Sequence, residues 1–81
     1  MKASIEISMY SLDKEYGTHI LGFIKELNQH PALEVRTNTM STQVFGEYDV
    51  LMDLMKKEIK TAFLATKTTV MVLKIVNEDL R

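Results

Sequence analysis

The spacing of apolar side chains along the chain predicts alternating strands and helices. Residues 2–10 alternate polar and apolar side chains, which is typical of a strand with one buried face. Apolar residues then recur at helical spacing from about residue 14 to 29, and strict alternation returns over residues 33–39. A short polar turn leads into a second strand that begins at Thr42 and ends at Gly46. These two strands are expected to form a hairpin.

The second half of the chain repeats the helix and strand pattern. Apolar residues recur at helical spacing from Asp49 to Phe63, with lysines on the opposite, solvated face. Residues 68–76 are β-branched and apolar, which favours a well-covered strand. The polar tail, residues 77–81, is expected to be frayed.

The element order β-α-β-β-α-β predicts an α+β fold. Right-handed crossovers arrange it as a ferredoxin-like βαββαβ sandwich, with a four-stranded antiparallel sheet in the order 4-1-3-2 and two helices on one face. Asp13 is expected to cap the first helix, and Pro31 to end it by disfavouring helical geometry before it. No segment is rich in Pro, Gly or Ser, so residues 1–81 are predicted to form a single domain.

This topology brings three polar stretches to one edge of the sheet. The first two strands run parallel, so residues 8–11, 38–42 and 67–69 meet there. Their hydroxyls and amide match ring nitrogens and amino groups, while Tyr10 and Met40 can cover ring faces, so the edge suits a small, flat, polar-edged molecule. Serine and threonine at hairpins are also common turn formers, which is the structural alternative. The candidate ligand-binding residues are Glu6, Ser8, Tyr10, Ser11, His19, Asn38, Met40, Ser41 and Thr42.

The face of the sheet that points away from the helices is predicted to carry apolar side chains. If Ile5 and Ile7 face the helices, Ser8 faces away together with Val70 and Val72 or their alternates on the last strand. A bare apolar sheet face is unusual on a monomer. We therefore expect a homodimer that associates through the sheet.

Composition and charge exclude several classes of function. Ten Lys and Arg against eleven Asp and Glu give a net charge of −1, whereas a nucleic-acid binder usually has a basic excess. The chain has no cysteine, and His19 and His30 are expected to lie far apart, so neither a metal site nor a cofactor is predicted. No apolar run reaches the ~20 residues of a membrane span, and the alternating N-terminus does not suit a signal peptide. A cytoplasmic location is expected.

Other functions known for this fold need residues that the chain lacks. An RNA-recognition module needs stacking aromatics on its central strands, a metal chaperone needs a Cys pair, and an acylphosphatase needs an Arg in the first loop. Nucleophilic catalysis would need His19 as a base beside Ser11 or Ser41. The sequence spacing does not place a carboxylate where it would orient this histidine. A lone helical histidine is more often a packing residue. We therefore predict a ligand-binding domain and no enzyme.

Two segments resemble a known family. The run Ser8-Met9-Tyr10-Ser11-Leu12 and the hairpin Met40-Ser41-Thr42-Gln43-Val44-Phe45-Gly46 are similar to the YkoF-like binders of thiamine and hydroxymethylpyrimidine. The resemblance covers the whole chain. It implies that the protein binds a ligand through Ser8, Ser41 and Thr42 and does not catalyse a reaction. It also implies that Gly46 lies in the turn before the second helix and that Glu6 or Asp13 is the acidic residue that contacts the ligand.

The resemblance also implies assembly of two such units, which a homodimer would supply here. The predicted function is thus a small-molecule binding protein for thiamine or its hydroxymethylpyrimidine precursor. The alternative is a non-catalytic dimerisation or regulatory module without a ligand, whose sheet face is its only working surface and which has no hollow beside Ser41.

Overall fold

A computed structural model describes all residues from 1 to 81 and confirms the predicted fold class. The strand order β2-β3-β1-β4 is the predicted order read from the other side. All three strand pairs are antiparallel. The elements are β1 (Lys2–Ser11), α1 (Tyr16–Asn28), β2 (Glu34–Thr37), β3 (Thr42–Glu47), α2 (Tyr48–Ala65) and β4 (Thr69–Val76).

The core lies between the sheet and the two helices, which pack against each other on one face. Its side chains come from alternate positions of the strands and from one face of each helix; the largest fully buried ones are Ile5, Leu27, Val44, Leu51 and Met55. Each contributes roughly 1.5–3 kcal/mol to the free energy of unfolding through burial of its apolar surface. This burial fixes which side of every strand faces the helices.

The first helix begins later than its sequence pattern predicts, and Asp13 is not its N-cap. The residue before the helix is Glu15, whose side chain makes no capping hydrogen bond. Asp13 acts in the preceding loop, where its Oδ1 accepts a hydrogen bond of 3.0 Å from the Glu15 amide. The helix ends at Asn28, two residues before His30 and Pro31 as predicted.

The C-terminal tail is ordered against the sheet, so the prediction of a frayed end is wrong. Ser4 Oγ donates to the Glu78 carbonyl at 2.6 Å and accepts from the Leu80 amide at 2.9 Å. The Arg81 guanidinium lies 5.7 Å from the centroid of the Phe45 ring. The tail thereby covers one end of the sheet face that points away from the helices.

Beyond the tail, this outer face exposes apolar side chains of β4, as predicted. Pairing of Ser8 with Val72 and of Tyr10 with Val70 places all four on the face opposite the helices. The two valines are 50% and 52% exposed. On the other side of β4, Ile75 is still 49% exposed, so the helices leave this edge strand partly uncovered. Neither helix combines the length and the apolar character that crossing a bilayer requires.

Candidate functional site

A hollow of about 260 Å³ opens at the edge of the sheet where the three polar stretches were expected to meet; residues 8–10 and 38–42 border it, but residues 67–69 do not. The last pair between β1 and β3 is Ile7 with Thr42, and β1 continues for four more residues to Ser11. The side of β1 that faces β3 therefore has no strand beside it over these residues. The β2–β3 hairpin and α1 close the space around this gap.

The floor of the hollow is apolar and comes from β1 and α1. Ile7 and Met9 project from the helix-facing side of β1, and Ile20, Phe23 and Ile24 project from α1. The helical spacing identified the α1 residues only as core. In the structure, Ile20 and Ile24 are partly exposed and line the hollow. The helical spacing showed that these residues share one face of α1, but it did not show where that face lies relative to the edge of the sheet.

The rim is polar and is formed by the hairpin, whose shape depends on Asn38. Asn38 Oδ1 accepts hydrogen bonds from the amides of Met40, at 2.8 Å, and Ser41, at 3.0 Å. The Asn38 amide donates to the Ser41 carbonyl at 3.1 Å, which closes the turn. Because Asn38 Oδ1 holds the loop through these two hydrogen bonds, only the side-chain nitrogen of Asn38 is left to bind a ligand. Met40 is 87% exposed at the tip.

The two hydroxyls of the hairpin point toward different faces of the sheet. Ser41 Oγ donates to Glu6 Oε2 at 3.0 Å, and Glu6 lies on the outer face, where Lys74 Nζ is 3.5 Å from its Oε1. Thr42 is on the helix side, and its Oγ1 is 3.3 Å from Thr37 Oγ1. The rim therefore offers hydrogen-bonding groups to both sides of the gap.

The predicted site residues divide into two groups. Six of them border the hollow: Ser8, Tyr10, Asn38, Met40, Ser41 and Thr42. Glu6 reaches it only through Ser41, while Ser11 and His19 do not border it. The side chains of Ser8 and Tyr10 project from the outer face, opposite to Ile7 and Met9, so the hollow is bordered from both faces of the sheet.

His19 and Ser11 organise the loop between β1 and α1. His19 Nε2 lies 3.3 Å from Asp13 Oδ2, and Ser11 Oγ accepts a hydrogen bond of 3.3 Å from the Asp13 amide. The pKa of Asp13 lies below its usual value of 3.8 because its carboxylate accepts the Glu15 amide hydrogen bond and also pairs with His19. These contacts stabilise the loop where α1 starts. No three His, Asp or Glu side chains are grouped as a metal ion requires.

Comparison with known proteins extends the fold assignment. No protein-family model and no curated protein matches the sequence. Among solved structures, a Streptococcus pneumoniae protein superposes with a TM-score of 0.88 at 23% identity, over 99% of this chain and 90% of its own. A Thermotoga maritima protein provisionally named for thiamine biosynthesis or salvage gives a TM-score of 0.85 at 19% identity, over 96% and 85% of the two chains.

A third similar structure is a domain of unknown function from Bacillus cereus, with a TM-score of 0.75 at 19% identity, over 99% of this chain and 79% of its own. At these identities the likeness shows a shared fold over nearly the whole of this chain. The thiamine-related name belongs to the Thermotoga protein.

Proposed function

We propose that this chain is a non-catalytic small-molecule binding protein for thiamine or its hydroxymethylpyrimidine precursor. The observation that carries the proposal is the hairpin hollow, with its apolar floor and polar rim. Ligand sites commonly bury a ring against apolar walls and orient it with a few polar groups. The likeness of the hairpin sequence to YkoF-like binders supports this ligand class, as does the fold shared with the Thermotoga protein.

The size and shape of the hollow favour a single ring. Its volume of about 260 Å³ lies below the ~300–1,000 Å³ of typical ligand pockets. An aminopyrimidine ring would pack on Ile20 and Ile24 and present its nitrogens to the Asn38 side-chain nitrogen and the Thr42 hydroxyl. The remainder of thiamine would lie at the rim, beside the exposed Met40 side chain.

The charge around the hollow favours a neutral or cationic ligand. Its thirteen lining residues include no lysine, arginine, aspartate or glutamate. The nearest carboxylate identified at the rim is Glu6, which accepts the Ser41 hydroxyl hydrogen bond. Because no basic side chain faces the hollow, a phosphorylated thiamine is expected to bind more weakly than thiamine.

The outer sheet face supports the proposal of a homodimer. Val70 and Val72 are about half exposed beside Tyr10, which is 57% exposed, and together they form an apolar strip. Burial of such a strip against a second copy would remove apolar surface from water. A two-fold pair would also supply the second unit that the family resemblance implies. Lining residues Ser8 and Tyr10 lie on this face, so the dimer would form beside the hollow.

Isothermal titration calorimetry with thiamine, hydroxymethylpyrimidine and thiamine phosphate tests the ligand. We expect saturable heat with the first two and weaker binding of the phosphate. Absence of heat at millimolar ligand would overturn the proposal. The second candidate function, a dimerisation module that uses the exposed valine strip, predicts no hollow beside Ser41, so the hollow found there counts against it. A dimer that binds none of the three compounds would support that module instead.

Ser41→Ala combined with Thr42→Val tests the location of the site. We expect the double variant to weaken binding by about tenfold, because two hydroxyls at the rim are lost while the shape of the hairpin is kept. Thr61→Val on α2 removes a hydroxyl far from the hairpin and serves as the matched control. Equal affinities of the double variant and the wild type would place the ligand elsewhere.

A further inference from the structure

The main chain of Met9 offers a hydrogen-bond donor and an acceptor that the sheet leaves unpaired. In an antiparallel sheet, alternate residues of a central strand turn their N–H and C=O groups toward opposite neighbours. The Leu12 amide donates to the Thr68 carbonyl at 3.0 Å, so the even-numbered residues of β1 pair with β4. The Tyr48 amide donates to the Met1 carbonyl at 2.8 Å, so the odd-numbered residues pair with β3. The N–H and C=O of Met9 therefore point to the side of β1 on which β3 lies.

No strand meets these two groups, because the hairpin leaves the sheet before it reaches them. The register that pairs Ile7 with Thr42 would place Met40 opposite Met9. The Met40 amide instead donates to Asn38 Oδ1 at 2.8 Å within the turn, and no backbone hydrogen bond joins Met40 to Met9. Met9 is one of the residues that line the hairpin hollow. Its unpaired N–H and C=O are thus directed into the gap that the hollow occupies.

The surroundings of Met9 supply no other partner for these groups. Met9 is partly buried, and α1 contributes to the hollow the apolar side chains of Ile20, Phe23 and Ile24, which neither donate nor accept hydrogen bonds. Backbone groups that are removed from water are nearly always hydrogen-bonded in folded proteins. A ligand that fills the hollow takes water away from the Met9 main chain and must itself provide an acceptor and a donor there.

We infer that the main chain of Met9 selects the ligand by binding a ring edge on which a nitrogen acceptor lies beside an amino group. The ring is the aminopyrimidine of the proposed function, on which this inference rests. The Met9 N–H would donate to the ring nitrogen, and the Met9 carbonyl would accept from the amino group, since both groups of one residue point the same way. The second ring nitrogen, on the opposite edge, is then left for the Asn38 side-chain nitrogen or the Thr42 hydroxyl.

Oxythiamine, in which an oxygen replaces the amino group of thiamine, tests this choice of edge. Its ring nitrogen carries a hydrogen and its oxygen accepts, so donor and acceptor exchange places and each would meet a like group of Met9. Isothermal titration calorimetry should show that oxythiamine binds at least about tenfold more weakly than thiamine. Equal affinities would overturn the role of Met9 and leave the thiamine proposal standing, whereas absence of binding by both compounds would overturn both proposals.

Two variants separate the main chain of Met9 from its side chain. Met9→Pro removes the N–H, which makes no hydrogen bond within the sheet, and proline is tolerated at such edge positions. Met9→Leu keeps the N–H and a side chain of similar size, and is the matched control. Met9→Pro should weaken thiamine binding by about tenfold, while Met9→Leu should change it by less than about twofold. Equal affinities of the two variants contradict the inference.

Hydrogen exchange in the ¹⁵N-labelled wild-type chain gives a readout that does not depend on how a variant folds. The Met9 amide should exchange at least about tenfold more slowly with saturating thiamine than without it. The Tyr10 amide, which already pairs with β4, is the internal control and should change little. Unaltered exchange at Met9 in a chain that binds thiamine overturns the inference.

Discussion

Gly46 is a residue whose importance lies in close packing rather than in an unusual backbone angle. The family resemblance implied a role in the turn before α2, but Gly46 lies inside β3 and has no positive φ. A Cβ at this position would lie 3.2 Å from Leu33 Cδ2 and 3.3 Å from the carbonyl oxygen of Ala32. The missing side chain thus lets the segment between α1 and β2 approach β3.

Gly46→Ala is expected to lower the free energy of unfolding by about 1 kcal/mol, since the Ala32 main chain cannot yield as easily as a side chain. Gly22→Ala is the control, because nothing lies within 4 Å of its added Cβ and alanine favours a helix interior by up to ~1 kcal/mol. Urea unfolding of both variants measures the difference. If Gly46→Ala proves as stable as the wild type, the close approach is not a constraint.

The C-terminal tail acts as an additional element of the sheet, although it has no regular secondary structure. The Ser4 hydroxyl joins it to β1 through two hydrogen bonds, and Arg81 joins it to β2, with Nη1 3.7 Å from Glu34 Oε1. Arg81 Nε also donates to both oxygens of Asp79, which lowers the pKa of Asp79 below 3.8. Phe45 projects from the outer face yet is only 3% exposed, because Arg36 and Arg81 lie over it.

Ser4→Ala is expected to reduce the free energy of unfolding by about 1–2 kcal/mol, since both hydrogen bonds to the tail are lost. Ser8→Ala, on the same strand and the same face but away from the tail, is the matched control and should change stability little. Urea unfolding measures stability, and proteolysis of residues 77–81 reports release of the tail. A tail that stays protected in Ser4→Ala would show that Arg81 alone holds it.

At the scale of the whole molecule, the tail divides the outer face into a covered end and an open end. The open end carries Val70 and Val72, with Tyr10 beside them. On the proposed homodimer, a second copy would pack there, next to the hairpin hollows of both chains. Ser8 and Tyr10 at the end of β1 would then lie at both the dimer interface and the ligand site.

Val72→Lys is expected to convert the proposed dimer into a monomer, because it places a charge in the centre of the apolar strip. Val50→Lys, at a 42% exposed position on α2, introduces the same change away from the sheet and should leave the mass unchanged. Multi-angle light scattering during size-exclusion chromatography measures both. A wild-type chain that elutes as a monomer at high micromolar concentration would contradict the dimer.

The sequence alone determined the elements, their order and the buried face of β1, because local periodicity of apolar residues encodes these features directly. Both faces of β4 are apolar in the sequence, so only the structure showed that Val70 and Val72 lie on the outer face. The sequence also predicted that the ends of β1 and β2 meet, since the topology requires it. Only the tertiary structure decided the apolar floor formed by Ile20 and Ile24, the pairing of His19 with Asp13, and the docking of the tail. The contacts of Ser4 with Glu78 and Leu80 join residues more than seventy positions apart, and no local pattern records contacts of that kind. The same holds for Glu58 on α2, which is buried and pairs with His30, a residue nearly thirty positions away.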